Sequence, residues 1–315
     1  MSRVEPDQVE HIGIVGAGTI GASWAAYFLA CGYRVTAYDP APDYETYVRD
    51  YIANAWPSLT QLGIVSAKSD PDAITCATDL QKAVKEVQFI QESVPERLPI
   101  KQEVYGQIEG VISPDVVIAS SASGLMVSEL QQGTLHPGRF VLAHPFNPPH
   151  LIPLVEVVGG NETDPAAVDW TLDFFNSCGK QAIRINAERP GHVANRLQAA
   201  VWREAIYLVA EGVASVEDVD RAMAFGPGLR WAIFGPHMTF HLGSGGHGMG
   251  VFIERYKDSF HRWWEDLGQP TITEEVAKAI ADGVTDEEAG RSFDELAAER
   301  DTKLVAMLSA FNKLK

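Results

Sequence analysis

The chain has 315 residues, of which 46% are hydrophobic and 21% charged. These are the proportions of an ordinary globular protein of one or two domains, and they exclude a disordered or fibrous chain. Its 25 Lys and Arg against 42 Asp and Glu leave a net charge of −17, which repels phosphate backbones and anionic lipid headgroups and argues against nucleic-acid or membrane partners.

Residues 12–15 predict a first buried strand, followed by a glycine-rich turn and a helical pattern, with a second strand over 35–38. Val48, Ile52, Ala55, Leu59 and Leu62 then recur at steps of three or four. That spacing describes an amphipathic helix which Pro57 would kink or restart, so an inserted helical hairpin is expected there. Further strands are expected over 74–77, 88–90, 116–119, 140–143, 154–158 and 182–185. Strands alternating with helices imply a mostly parallel sheet covered on both faces. After Pro190-Gly191 the strand signal stops, and Val193, Leu197, Ala200, Val201, Ala205 and Leu208 keep helical spacing, as in a core or dimer-interface helix. The predicted fold class is α/β: a Rossmann-type N-terminal domain over 1–189 and an all-α domain over 190–315. Acids concentrated over 282–301 read as solvated helix faces.

The opening MSRVEPDQVE carries acids where a secretory leader needs a basic start and an apolar stretch, and no apolar run of about 18 residues occurs. Cys31, Cys76 and Cys178 are odd in number and far apart, which suits neither a disulfide framework nor a zinc cluster. A cytoplasmic location is expected, and the remaining histidines, including His136, His237, His241 and His247, lack metal-ligand spacing.

The segment HIGIVGAGTIGASWAAYFLACGYRVTAYDP places Gly16-x-Gly18-x-x-Gly21 directly after a strand and before a helix. In that context the first glycine allows a tight turn, the second lets the backbone approach a pyrophosphate, and the third lets helix and strand pack closely. Thr19 and Ile20, which open the helix, belong to the same cofactor-binding set. The next strand ends in Asp39, whose carboxylate suits ribose hydroxyls and repels a 2′-phosphate, and Pro40 follows instead of an arginine. The expected cofactor is NAD.

In open parallel sheets, ligands sit beyond the carboxyl ends of the strands. There the sequence has QESVPER after 88–90, SSASG after 116–119 and HPFNP after 140–143. The stretches GAGTIGASWAA, FIQESVPERLPIK, ASSASGL, HPFNPPHLIPLVEVV, GHVANRLQAAVWREA and FGPGLRWAIFGP follow in order. Together they resemble the L-3-hydroxyacyl-CoA dehydrogenase family, most closely its carnitine dehydrogenase and L-gulonate 3-dehydrogenase (lambda-crystallin) branches. The resemblance implies an NAD-dependent dehydrogenase that dimerises through its C-terminal domain. Its catalytic histidine falls on His144 and the partner glutamate on Glu156, while the substrate-binding serine and asparagine fall on Ser123 and Asn195. Glu96, Lys101 and Asn147 match positions near the nicotinamide end of the cofactor. Where the acyl-CoA enzymes carry Asn-Thr before the serine, this chain has Ser121-Ala122.

These residue types suit the implied chemistry. An imidazole with an ordinary pKa near 6.5 can accept the hydroxyl proton as hydride leaves the carbon, and a carboxylate on its other nitrogen fixes the tautomer. Arg230 and Trp231, in a glycine- and aromatic-rich segment, suit a free carboxylate and a trimethylammonium group. The expected substrate is a short polar 3-hydroxy acid, of carnitine type first and L-gulonate type second. Two readings compete with it: a short-chain 3-hydroxyacyl-CoA dehydrogenase, and a nonenzymatic, crystallin-like NAD-binding protein.

Overall fold

The computed structural model describes residues 3–313. By internal contacts the chain divides into two compact units, Met1–Ala194 with Ala298–Lys315, and Asn195–Ala297. In chain order the first unit runs β1 (His11–Val15), α1 (Thr19–Cys31), β2 (Arg34–Tyr38), α2 (Tyr44–Gln61), β3 (Thr75–Cys76), α3 (Leu80–Val84) and β4 (Phe89–Glu92). It continues through α4 (Leu98–Ile108), β5 (Val117–Ser120), α5 (Val127–Leu130), β6 (Phe140–Pro145), β7 (Leu154–Gly159), α6 (Pro165–Ser177) and β8 (Gln181–Arg184).

The strands form one sheet in the order β3-β2-β1-β4-β5-β6-β7-β8. Neighbours are parallel except β6 and β7, which are antiparallel. The exception follows from chain length: residues 146–153 are too few for a crossover, which takes about a dozen residues or more. Strand order reverses between β1 and β4, so a crevice opens at their carboxyl ends.

Strands β1, β4, β5 and β6 are buried at every residue, which requires cover on both faces and explains their mainly apolar character, with polar residues at or near the strand ends except for Gln91. On one face Trp24 and Phe28 of α1 pack with Phe89, Phe174 and Phe175. On the other, Tyr105 and Ile108 of α4 and Leu130 of α5 join Ile90, Ile118 and Leu142. Because α1 is apolar all round, it is buried all round from Gly21 to Ala30. Gly32, at φ 96°, ends it by turning its N–H back to the Leu29 carbonyl.

The expected helical hairpin is absent. Instead α2 is one helix that carries Pro57 inside it. Its buried stripe of Val48, Ile52, Ala55 and Leu59 continues past the proline, and this packing keeps the helix whole although the ring removes a backbone donor.

The second unit is helical. Here α7 (Ala194–Ala210), most of which lies in this unit, is followed by α8 (Val216–Phe225), α9 (Pro227–Trp231), α10 (Pro236–Leu242), α11 (Gly248–Asp266) and α12 (Glu274–Glu288). Of its larger apolar side chains only Ile206 is buried among the described residues, while Leu197, Trp202, Phe225, Ile233, Trp263 and Trp264 are exposed. The last helix, α13 (Phe293–Lys313), begins in this unit and ends in the first. An all-α domain running to residue 315 is therefore corrected at its end: Val305 is buried, and Arg300 and Asp301 act electrostatically on Tyr51 and His150 of the first unit. Among the described residues, no helix is long and apolar enough to cross a membrane.

Candidate active site

The turn from β1 into α1 is shaped by its glycines. Gly16 has φ 86°, and a Cβ there would come within 2.6 Å of the Ser93 backbone. A Cβ at Gly21 would lie 1.9 Å from the Gly16 carbonyl oxygen, so only glycine lets helix and turn touch. A Cβ at Gly18 would meet nothing within 4 Å; this glycine faces open space at the N-cap of α1, where the first helical amides have no partner inside the helix. The Asp39 carboxylate accepts the Ala17 N–H at 2.8 Å and the Ala41 N–H at 2.9 Å, which ties the end of β2 to the turn. Thr19 is exposed and Ile20 half-buried, and the Thr19 hydroxyl lies 3.1 Å from the Tyr47 hydroxyl. A bare helix N-terminus, an open glycine position and a fixed carboxylate fit a dinucleotide with a free ribose 2′-hydroxyl.

At the carboxyl end of β6, His144 is 4% exposed, and Glu156, its direct partner across the antiparallel pair, is 0% exposed. His144 Nδ1 lies 2.9 Å from Glu156 Oε2, and His144 Nε2 lies 3.2 Å from Ser123 Oγ. Glu156 Oε1 accepts the backbone N–H groups of Val193 and Ala194, each at 2.9 Å. Burial pushes the Glu156 carboxyl upward, but the His144 hydrogen bond and these amides outweigh it and hold its pKa below the ordinary value. An ionised Glu156 can only accept, so Nδ1 carries the proton. The Nε2 lone pair of the neutral ring is then free to accept, at present from the Ser123 hydroxyl.

The loop that bears Ser123 is braced from beneath. Glu96 accepts the N–H groups of Ser123, at 2.9 Å, of Gly124, and of Leu125, at 3.1 Å. Burial opposes its ionisation, yet these amides and the charge of Lys101 prevail and lower its pKa. Below the loop, Glu92 Oε1 accepts Lys101 Nζ at 2.6 Å and the Val94 N–H at 2.7 Å. Its Oε2 accepts the hydroxyls of Tyr105 at 2.5 Å and Ser120 at 2.8 Å. Lys101 is therefore 1% exposed and committed to Glu92. The buried Glu92 carboxylate at the end of β4 demands a cation, and Lys101 supplies it. Asn147 is exposed, in the loop after β6, at a cis Asn147–Pro148 bond.

The first unit thus brings together His144, Glu156, Ser123 and Glu96. Asn195, Arg230 and Trp231 belong to the second unit: Asn195 in the first turn of α7, Arg230 exposed and Trp231 half-buried at the end of α9.

Sequence reasoning missed two features. One is the Glu92–Lys101–Tyr105–Ser120 cluster, whose only sequence signal is a glutamate ending an apolar strand. The other is His192, 4% exposed, whose ring centre lies 5.1 Å from that of His144.

Comparison with known proteins identifies the family. Residues 11–188 match the family model for the 3-hydroxyacyl-CoA dehydrogenase NAD binding domain, and residues 191–287 that for the C-terminal domain. The chain is 45% identical over 313 residues to an L-carnitine dehydrogenase of Nocardiopsis dassonvillei, covering 99% of this chain and 95% of the relative. To the L-carnitine dehydrogenase of Bacillus cereus it is 39% identical, covering 99% and 96%. Among solved structures it is similar to 5-formyl-3-hydroxy-2-methylpyridine 4-carboxylic acid 5-dehydrogenase, an NAD+-dependent dismutase, with TM-score 0.82 and 30% identity over 95% of this chain and 97% of that one.

Proposed function

As the chain belongs to the 3-hydroxyacyl-CoA dehydrogenase family, we propose that this NAD-dependent oxidoreductase converts the 3-hydroxyl of a short polar 3-hydroxy acid, L-carnitine, to the ketone. The observation that carries the reaction class is the Ser123–His144–Glu156 chain of hydrogen bonds at the carboxyl end of the sheet. For the substrate, the support is the likeness to L-carnitine dehydrogenases along nearly the whole chain.

NAD+, held at the Gly16–Gly18–Gly21 turn with Asp39 on its ribose, would supply the hydride acceptor. His144 Nε2 takes the hydroxyl proton, and Glu156 stabilises the imidazolium through Nδ1–H. Ser123, joined by Asn195, holds the reacting oxygen and sets its orientation. Glu96, together with Lys101 and Asn147, supports the nicotinamide end. Arg230 forms a charge-assisted pair with the substrate carboxylate, and Trp231 gives the trimethylammonium group an aromatic face. A second copy of the chain covers the apolar side chains that the second unit leaves exposed, in a homodimer. The free thiols of Cys31, Cys76 and Cys178 suit the reducing cytoplasm.

Steady-state assays with NAD+ and L-carnitine, L-gulonate or 3-hydroxybutyryl-CoA test this reading, with NADH absorbance as the readout. L-carnitine is expected to give the highest kcat/KM. A preference for the thioester by orders of magnitude would overturn the substrate, and no turnover of any hydroxy acid would overturn the activity.

A further inference from the structure

His192 stands in an uncommon conformation. Its φ is 51°, in the left-handed region where a side chain with a Cβ is disfavoured, directly after Gly191 at φ 75°. The turn is closed by the His192 N–H on the Arg189 carbonyl at 2.9 Å. The imidazole is buried: Nε2 lies 3.2 Å from the Ala122 carbonyl oxygen, and Nδ1 is sequestered from solvent with no hydrogen-bond partner among the described residues. A carbonyl can only accept, so Nε2 carries the proton and Nδ1 is a bare acceptor. Burial lowers the His192 pKa, and although the Ala122 carbonyl pulls the other way, the ring is neutral at neutral pH.

These contacts close a circuit. From Ser123 the hydrogen bonds run to His144 and on to Glu156, and from Glu156 to the Val193 and Ala194 amides. His192, the residue before those amides, returns to Ala122, the residue before Ser123. One turn, 191–194, thereby orients the carboxylate through its backbone and the serine loop through its side chain.

We propose that His192 is a positioning residue for the proton transfer, locking the Ser123 loop and the two amides on Glu156 into one rigid frame around His144. This rests on the dehydrogenase reading above. In the frame His144 holds its Nδ1–H on Glu156 and presents Nε2 in one orientation, and misplacement of such a group by about 1 Å costs up to a hundredfold in rate.

The test compares His192→Phe, which keeps a ring but has no donor, with His192→Gln, whose side-chain amide can still donate to the Ala122 carbonyl. Both keep a Cβ, so the strained backbone is common to them. In the full-length protein, H192F is expected to lower kcat about ten- to hundredfold with KM for NAD+ unchanged, and H192Q to recover most of it. The far-downfield proton resonance of His144 Nδ1–H is expected to broaden or vanish in H192F and to persist in H192Q. Should H192F fail to fold, His192→Asn, too short to reach Ala122 but tolerant of the left-handed backbone, replaces it with the same expectations. Retention of kcat within about twofold in the donor-free variant, or equal impairment of H192Q, would overturn the proposal. If the wild-type protein turns over no hydroxy acid, the activity reading fails by itself. The resonance then decides on His192: loss in the donor-free variant supports the frame, and its persistence there overturns it.

Discussion

His144 and Glu156 sit directly opposite one another on the only antiparallel strand pair of the described sheet, with Nδ1 and Oε2 2.9 Å apart. Cross-strand neighbours are held by the ladder itself, so the proposed base and its orienting carboxylate share one rigid element. His144→Gln removes the proton acceptor and is expected to lower kcat about 10²–10⁴-fold while NAD+ affinity is kept. Glu156→Gln, whose amide oxygen can still accept from Val193 and Ala194, is expected to fall in the same range because the tautomer is no longer imposed. Stopped-flow hydride-transfer rates beside NAD+ titration separate chemistry from binding. Parallel losses in both would refute the assignment.

The glycines of the cofactor turn divide into two kinds. At Gly21 a Cβ would lie 1.9 Å from the Gly16 carbonyl, so Gly21→Ala is expected to lower the melting temperature and abolish NAD+ binding together. At Gly18 a Cβ meets no protein atom within 4 Å. Gly18→Ala is accordingly expected to leave stability intact and weaken NAD+ binding about tenfold or more, since the methyl would crowd the pyrophosphate proposed to bind there. Calorimetric titration and thermal melts of both variants check the division.

Much of this turn was legible in the sequence because its meaning is local: a strand, three glycines and a helix start are all contiguous in the chain. Less legible was how distant residues meet. His144 and Glu156 could be named by resemblance, yet their contact depends on β7 reversing direction, which no periodicity encodes. Lys101 carries no mark of burial in its neighbours, because its counterion, Glu92, lies at the end of another element. His192 has positive φ without being glycine, so the residue type hides the turn. Pro57 is a breaker by local rules, overridden by the apolar stripe of α2.

The Glu92–Lys101 pair is almost fully buried. Lys101→Met leaves a carboxylate without a cation and is expected to cost about 3–5 kcal/mol in urea unfolding. Replacing both partners, with Glu92→Leu added, should restore part of that loss. A single variant as stable as the wild type would contradict the pairing.

Acid lowers stability by two routes. His150 bonds Ser23 at 2.8 Å, and burial depresses its pKa from 6.5 to about 4. The unfolded chain therefore binds a proton that the folded chain refuses, and stability present above pH 6.5 is lost as pH falls toward 4, by about 3 kcal/mol in full. Glu156 and Glu96, held below 4.5, add a second loss as pH falls through their folded pKa values. Urea midpoints against pH are expected to show both phases, and His150→Asn to flatten the upper one.

Arg230→Met removes the guanidinium proposed to hold the substrate carboxylate. KM for L-carnitine is expected to rise about ten- to hundredfold with kcat little changed, the signature of lost uniform binding. An unchanged KM would remove Arg230 from the substrate site.

Ser123, His144 and Glu156 also stand in the order of nucleophile, base and acid found in hydrolases. What separates this site from an acyl-transfer centre is Glu96. Its carboxylate already occupies the amides of Ser123, Gly124 and Leu125, the groups an oxyanion hole would need. A tetrahedral adduct on Ser123 would find a negative charge in place of those donors, so no cleavage of esters or thioesters is expected, a prediction that assays with p-nitrophenyl acetate check.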